Sequence, residues 1–179
     1  MDSYKLHFTL LELETFSYLA MKAGEDLSQR EIAIALAVSP TAVANAVKNL
    51  MKKNLITIKK TKTINFISFN RDNPRAIAMK RVENLKQVYL SGLLDYLEVP
   101  LAGATIILFG SYSRGEDAKE SDIDLAVIGR KSKMLDLKGF EKMLNRPINI
   151  NFYDSWGDIH KHLKNNILNG IILSGSVEL

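Results

Sequence analysis

Two aspartates spaced by one apolar residue, Asp122-Ile123-Asp124, stand eleven to fourteen positions after a Gly-Ser pair, Gly110-Ser111. Along an extended chain, residues two apart share a side, so Asp122 and Asp124 project together while Ile123 and Leu125 turn to a core. Two carboxylates held side by side repel each other unless a cation lies between them. Oxygen ligands of this kind suit a hard ion such as Mg²⁺, which takes one or two carboxylates and completes its shell with substrate phosphate. The Gly-Ser pair supplies the complementary half. It ends an apolar run, Thr105-Ile106-Ile107-Leu108-Phe109, and without a side chain at Gly110 a phosphate can reach backbone N–H groups. The chemistry these residues permit is the binding of a triphosphate tail against a carboxylate-held cation.

The elements that must position these groups are readable around them. The apolar run before Gly110 predicts a buried strand, and a second strand is expected from Asp122 through Ala126-Val127. Leu135, Leu137, Phe140, Met143 and Leu144 predict a helix that Arg146-Pro147 ends, and Ile148-Asn149-Ile150-Asn151-Phe152-Tyr153 alternates as a strand does. Ser155 to Asp158 predicts the cap of a last helix carrying Ile159, Leu163 and Ile167. His160 and His162, two apart on that helix, are expected to diverge and carry no metal.

An apolar residue, Gly-Ser, a gap and then Asp-apolar-Asp resemble the signature of the nucleotidyltransferase fold shared with DNA polymerase beta, and most closely its minimal nucleotidyltransferases. The resemblance implies Mg²⁺ in a one- or two-metal site held by Asp122 and Asp124. It implies a nucleoside triphosphate held by Gly110, Ser111 and Arg114, and transfer of a nucleoside monophosphate to a hydroxyl acceptor. It also implies a HEPN-type helical partner and an antitoxin-like role. Members of the family carry a third carboxylate on the strand after the helix. Here that stretch is Arg146-Pro147-Ile148-Asn149-Ile150, so Asn149 takes the third catalytic position, or Asn151 if the register slips by two. An amide carries no charge and accepts no proton. Two functions therefore stay open: a nucleotidyltransferase, and a regulator whose nucleotidyltransferase domain binds nucleotide with weakened or absent catalysis.

The N-terminal third has a different character. Thr9 to Glu12 and Ser28 to Glu31 are capping boxes, and Ser39-Pro40 marks a third helix start. Leu10, Leu13, Phe16 and Ala20 predict the buried face of the first helix, and Val43, Val47 and Leu50 that of the third. On the third helix, Thr41, Asn45, Lys48 and Lys52 form an outward stripe with Asn49 beside it. Two β-rich segments, Leu55 to Lys60 and Ile64 to Phe69, predict a hairpin with Lys59, Lys60 and Lys62 at its tip. From Lys48 to Arg71 no acidic residue interrupts the positive charge. Three helices and a basic hairpin resemble a winged helix-turn-helix domain. The resemblance implies double-stranded DNA as partner, with the stripe in the major groove and the tip along phosphates, and a homodimer as the working state. A protein-docking module is the competing reading.

The expected architecture is α+β: residues 1–71 a winged helix-turn-helix domain, 72–98 a connecting helix from Pro74 to about Tyr96, and 99–179 a nucleotidyltransferase-fold mixed sheet flanked by helices. On the connecting helix Ile77, Val82, Leu85, Val88 and Leu93 predict the packed side, and Lys80, Arg81, Glu83 and Lys86 the solvated one. The 179 residues are 46% hydrophobic and 25% charged, with a formal charge of +4, no cysteine, no spanning apolar run and no leader pattern. That profile excludes a disulfide scaffold and a thiolate metal site, and a cytoplasmic location is expected.

Overall fold

The protein is described from a computed structural model over residues 8–178. The outermost ends of the two predicted domains, residues 1–7 and Leu179, lie outside the described residues. The chain divides into two compact units between Lys80 and Arg81.

In the first unit, α1 (Leu10–Met21), α2 (Gln29–Ala35) and α3 (Pro40–Lys52) precede the hairpin β2 (Ile56–Lys60) and β3 (Asn65–Phe69). All three helix starts form as their sequence predicts. Thr9 and Ser28 close reciprocal capping boxes with Glu12 and Glu31, and Ser39 caps α3 ahead of Pro40. A short strand, β1 (Leu27–Ser28), pairs antiparallel with β3 and completes a sheet in the order β1-β3-β2. Two residues carry no periodic signal, so β1 is invisible to pattern reading. Phe16, Leu19, Ile32, Val43, Leu50, Leu55 and Ile67 form the core, with Phe16 and Phe69 in tilted ring contact at 5.9 Å.

The buried face of α1 differs from the apolar pattern. Leu10 is 72% exposed, whereas Glu12 and Thr15 are buried. Glu12 is drawn inward by partners: Asn49 Nδ2 donates to its Oε1 at 2.7 Å, and the Thr9 amide donates to its Oε2 at 3.0 Å. Desolvation pushes its carboxyl up, but these hydrogen bonds and the Lys53 charge outweigh that and hold it below the ordinary range. Asn49 therefore belongs to the fold rather than to the outward stripe. An Asn49→Ala variant is expected to lose about 1.5–3 kcal/mol, the range for a hydrogen bond to a charged group. Urea unfolding reads that loss, and DNA affinity measured on the folded variant should stay at the wild-type value.

The helix α4 (Pro74–Leu90) opens after Asn73, whose side-chain oxygen accepts from the Arg75 amide at 2.8 Å. It does not run on to Tyr96. Gly92, at φ 72°, breaks it, and Ser91 Oγ donates to the Val88 carbonyl, so α5 (Leu93–Glu98) is a separate helix. Along α4, Val82 is 65% exposed and Lys80 is buried, the reverse of the apolar-in expectation at both positions.

The second unit is a four-stranded mixed sheet in the order β6-β5-β4-β7. Its strands are β4 (Thr105–Phe109), β5 (Ile123–Ile128), β6 (Ile148–Tyr153) and β7 (Ile171–Ser174). β4 pairs antiparallel with β5 and β7, and β5 pairs parallel with β6. The parallel pair needs a crossover, which α7 (Lys138–Leu144) supplies. Alternation along β4 and β5 builds two cores. Ile106, Leu108, Ile123, Leu125 and Val127 meet Leu93 and Leu97 on one face. Ile107, Phe109, Ala126 and Ile128 meet Ile159 and Ile167 on the other. The expected last helix is split: Ser155 caps only a 3-10 turn, Trp156–Asp158, and α8 (Lys161–Leu168) starts after the extended Ile159. That break moves His160 off the helix to its cap position, so the His160 and His162 rings lie 5.5 Å apart instead of diverging. No single helix among the described residues is long and apolar enough to cross a membrane.

Candidate functional site

The site grows from the end of β4. Phe109 is the last strand residue, and Gly110 begins the short helix α6 (Gly110–Arg114). Gly110 sits at φ +76°, and a Cβ there would collide with Asp124 Oδ2. The left-handed φ favours glycine, and any Cβ here would force the Asp124 carboxylate to shift. Phe109 pairs directly with Asp124 across the β4–β5 ladder, so the glycine turn and the carboxylate are brought together by strand register.

β5 carries the rest. β5 starts at Ile123, one residue later than expected, so Asp124 lies on the strand and Asp122 just before it, in line with the alternate set Ala126 and Ile128, whose side chains pack on the face shared with α8. On the far side of β5, the parallel register sets Asn149 opposite Asp124 and Asn151 opposite Ala126. Asn149, not Asn151, is therefore the residue beside the aspartate pair. Its Nδ2 donates to Asp122 Oδ2 at 2.9 Å. Asp124 is half-buried, and desolvation first, with the Asp122 charge adding, pushes its carboxyl above the ordinary range against the opposing effect of the Asn149 amide. Among the described residues no group of three or more His, Cys, Asp or Glu side chains is gathered closely enough to hold a metal. Of the other acids that could replace a third carboxylate, Asp154, Glu116 and Asp117, the two on the loop between the motifs are engaged and Asp154 is exposed after β6. Asp117 is buried against Arg146 at 2.8 Å, and Glu116 pairs with Arg114 at 2.7 Å.

The raised carboxyl has a sign. A carboxyl whose folded value lies above its unfolded value favours the protonated folded state, so its stabilising effect is present below the unfolded value and is lost as pH rises through the folded one. Asp124→Asn is therefore expected to be more stable than wild type at pH 7, with the difference vanishing towards pH 4. Denaturant midpoints measured across that range check it, and a variant less stable at pH 7 would refute it.

Arg114 lies on the same turn and is held by side-chain partners. Its Nε donates to Glu116 Oε2 and its Nη1 to Asn166 Oδ1 on α8 at 3.1 Å. Ser111 is partly exposed beside Gly110, and Ser113 is buried with its hydroxyl on the Gly110 carbonyl at 2.9 Å.

In the first unit Thr41, Asn45, Lys48 and Lys52 are all exposed along α3, as the stripe predicts. Lys59, Lys60 and Lys62 are exposed on the hairpin. Lys59 and Lys60 are adjacent in β2, so they leave the strand on opposite faces. The tip is tied by Thr61, whose hydroxyl and amide both reach the Ile64 carbonyl. Lys53 instead lies over the Phe8 ring at 4.5 Å.

Comparison with known families matches both halves. A nucleotidyltransferase domain is found over residues 90–174, and a winged helix-turn-helix DNA-binding domain over residues 20–57. The chain joins a winged helix-turn-helix domain to a nucleotidyltransferase domain. The nucleotidyltransferase match spans all four strands of the second sheet, including the Gly110 turn and the Asp122–Asp124 pair. Comparison with curated proteins returns no match. Two solved structures are similar. One is MepR, a transcription regulator of the Staphylococcus aureus multidrug efflux pump MepA, at 23% identity and a TM-score of 0.38, covering 48% of this chain and 65% of that one. The other is a point mutant of ZitR from Lactococcus lactis, at 19% identity and a TM-score of 0.40, covering 55% of this chain and 64% of that one. The chain thus spans just under two thirds of the length of each.

Sequence reading missed one group of residues in the second unit. Asn84, Asp117 and Arg146 form a buried polar cluster. Asp117 sits in the loop between the motifs, where acids are ordinarily solvated, and Arg146 read as a helix end. Only their shared burial reveals them, and no local pattern signals that.

Proposed function

We propose that this protein is a DNA-binding regulator whose nucleotidyltransferase domain binds a nucleoside triphosphate with Mg²⁺ and does not efficiently turn it over. The observation that carries this reading is Asn149 in register with Asp124, its amide donating to Asp122 where a third acid would stand. The donor set fits one hard cation. Two carboxylates and an amide offer oxygen ligands, and Gly110 leaves the space beside Asp124 clear of any side chain. Asp122 and Asp124 would hold Mg²⁺, which when bound neutralises the paired carboxylates and draws phosphate oxygens to them. Gly110 and Ser111 would hold the triphosphate tail. The winged-helix unit would contact double-stranded DNA through Thr41, Asn45, Lys48 and Lys52 in the groove and Lys59, Lys60 and Lys62 on phosphates.

A second reading is nucleotidyl transfer to a hydroxyl acceptor with release of pyrophosphate. The intact pair of Asp122 and Asp124 favours it. ATP labelled at the α-phosphate separates the two. The regulator reading expects Mg·ATP binding by wild type, no transfer of label, and loss of binding in Asp124→Ala. Label transfer by wild type that disappears in Asp124→Ala would establish the transferase. Absence of Mg·ATP binding would remove both.

A further inference from the structure

The loop between the two motifs is held from inside by a single arginine. Arg146, 7% exposed, donates from Nη1 to the carbonyls of Ala118, Lys119 at 3.0 Å and Ser121 at 2.9 Å. Its Nη2 pairs with Asp117 at 2.8 Å. Ser121 is joined by its peptide bond to Asp122, so Arg146 fixes the backbone immediately before the first aspartate. The same cluster reaches the other motif. Asn84 Nδ2 donates to Asp117 Oδ1 at 2.7 Å and to the carbonyl of Tyr112 at 2.9 Å, and Tyr112 follows Ser111 on the glycine turn. The Arg146 guanidinium also lies 5.5 Å from the centre of the Tyr112 ring. A buried guanidinium with four acceptors is far more than a solvated loop needs. Five donors in a rigid fork suit this task, whereas an ammonium cannot span the same set.

We propose that Arg146 is a positioning residue that sets the spacing between the Gly110-Ser111 turn and the Asp122–Asp124 pair, and so determines how tightly the domain takes Mg²⁺ and a nucleoside triphosphate. The inference rests on the nucleotide-binding reading above. Arg146 itself touches neither ligand. It acts through the Ser121–Asp122 peptide on one side and through Asp117 and Asn84 on the other. Supporting residues of this kind typically change metal affinity by about 10- to 100-fold when altered.

The test titrates Mg·ATP into the full chain as wild type, Arg146→Lys and Asp117→Asn, with thermal midpoint and hydrogen exchange of residues 116–121 measured on each. Lysine keeps the charge and asparagine keeps the shape, so the read is taken on whichever variant retains the wild-type midpoint. The expected result is Mg·ATP affinity about 10- to 100-fold weaker, with faster exchange confined to residues 116–121. Unchanged affinity in a folded variant overturns the proposal while leaving nucleotide binding intact. Unfolding of both variants overturns it too, because the cluster would then serve the core and not the site. Wild type that fails to bind Mg·ATP removes the nucleotide reading itself.

Discussion

Asn149→Asp is expected to convert the site from one that holds a nucleotide to one that transfers it, with a gain in label transfer of about 10²–10⁴, the usual worth of a positioned general base. The register makes the expectation specific. Asn149 lies opposite Asp124 on the parallel neighbour strand, so an aspartate there adds a carboxylate to Asp122 and Asp124 without moving the backbone. The gain has a cost. The hydrogen bond from Asn149 to Asp122 would be lost, about 1.5–3 kcal/mol for a bond to a charged group. A third negative charge would also stand beside two others, one of them already pushed up by burial and by its neighbour. The added charge would push the Asp124 carboxyl further above its ordinary range, so the loss of stability grows as pH rises and fades as that acid protonates. Mg²⁺ should restore most of what the substitution removes at pH 7, since a ligand of the folded state alone stabilises it by mass action. Unfolding midpoints with and without Mg²⁺ at pH 5 and pH 8 read this directly. Equal midpoints at both pH values, or no response to Mg²⁺, would show that the three side chains do not share a cation.

The second large effect concerns DNA. Each phosphate contact contributes about −0.9 to the slope of log affinity against log salt. Removing Lys59, Lys60 and Lys62 together should flatten that slope by about 3 and weaken binding by a few hundred-fold at about 0.1 M salt. All three lysines are exposed on the hairpin, and none lies in the core, so the triple alanine variant should remain folded. Lys59 and Lys60 leave β2 on opposite faces, so a slope change nearer 2 would identify one of them as facing away from the duplex. Asn45→Ala should behave differently. It sits mid-stripe on α3, and loss of a base contact there costs about 1–3 kcal/mol of discrimination between sites with little change in slope. Binding that ignores salt and all four substitutions would exclude this surface as the DNA contact.

Much of the architecture was legible because its causes are local. The capping boxes at Thr9 and Ser28 and the Ser39-Pro40 start each need only four neighbouring residues, and all three form. The glycine turn after an apolar strand, and the same-side projection of Asp122 and Asp124, follow from backbone geometry over a few residues. The misreadings have non-local causes. Glu12 is buried because Asn49, far along the chain, satisfies its carboxylate. The helix from Pro74 stops early because Gly92 takes a left-handed conformation, which the apolar spacing running through it concealed.

The sequence by itself determined the parts list: a winged helix-turn-helix half, a nucleotidyltransferase half, and a Gly-Ser turn paired with two aspartates but short of a third acid. Tertiary structure decided which asparagine stands in that third place. Asn149 and Asn151 share a face and cannot be told apart along the chain, and only the β5–β6 pairing selects Asn149. It also decided that Asp117 and Arg146 turn inward to each other instead of outward to water. Strand register and the burial of charge depend on contacts between residues distant in the chain, and no short stretch of sequence encodes those.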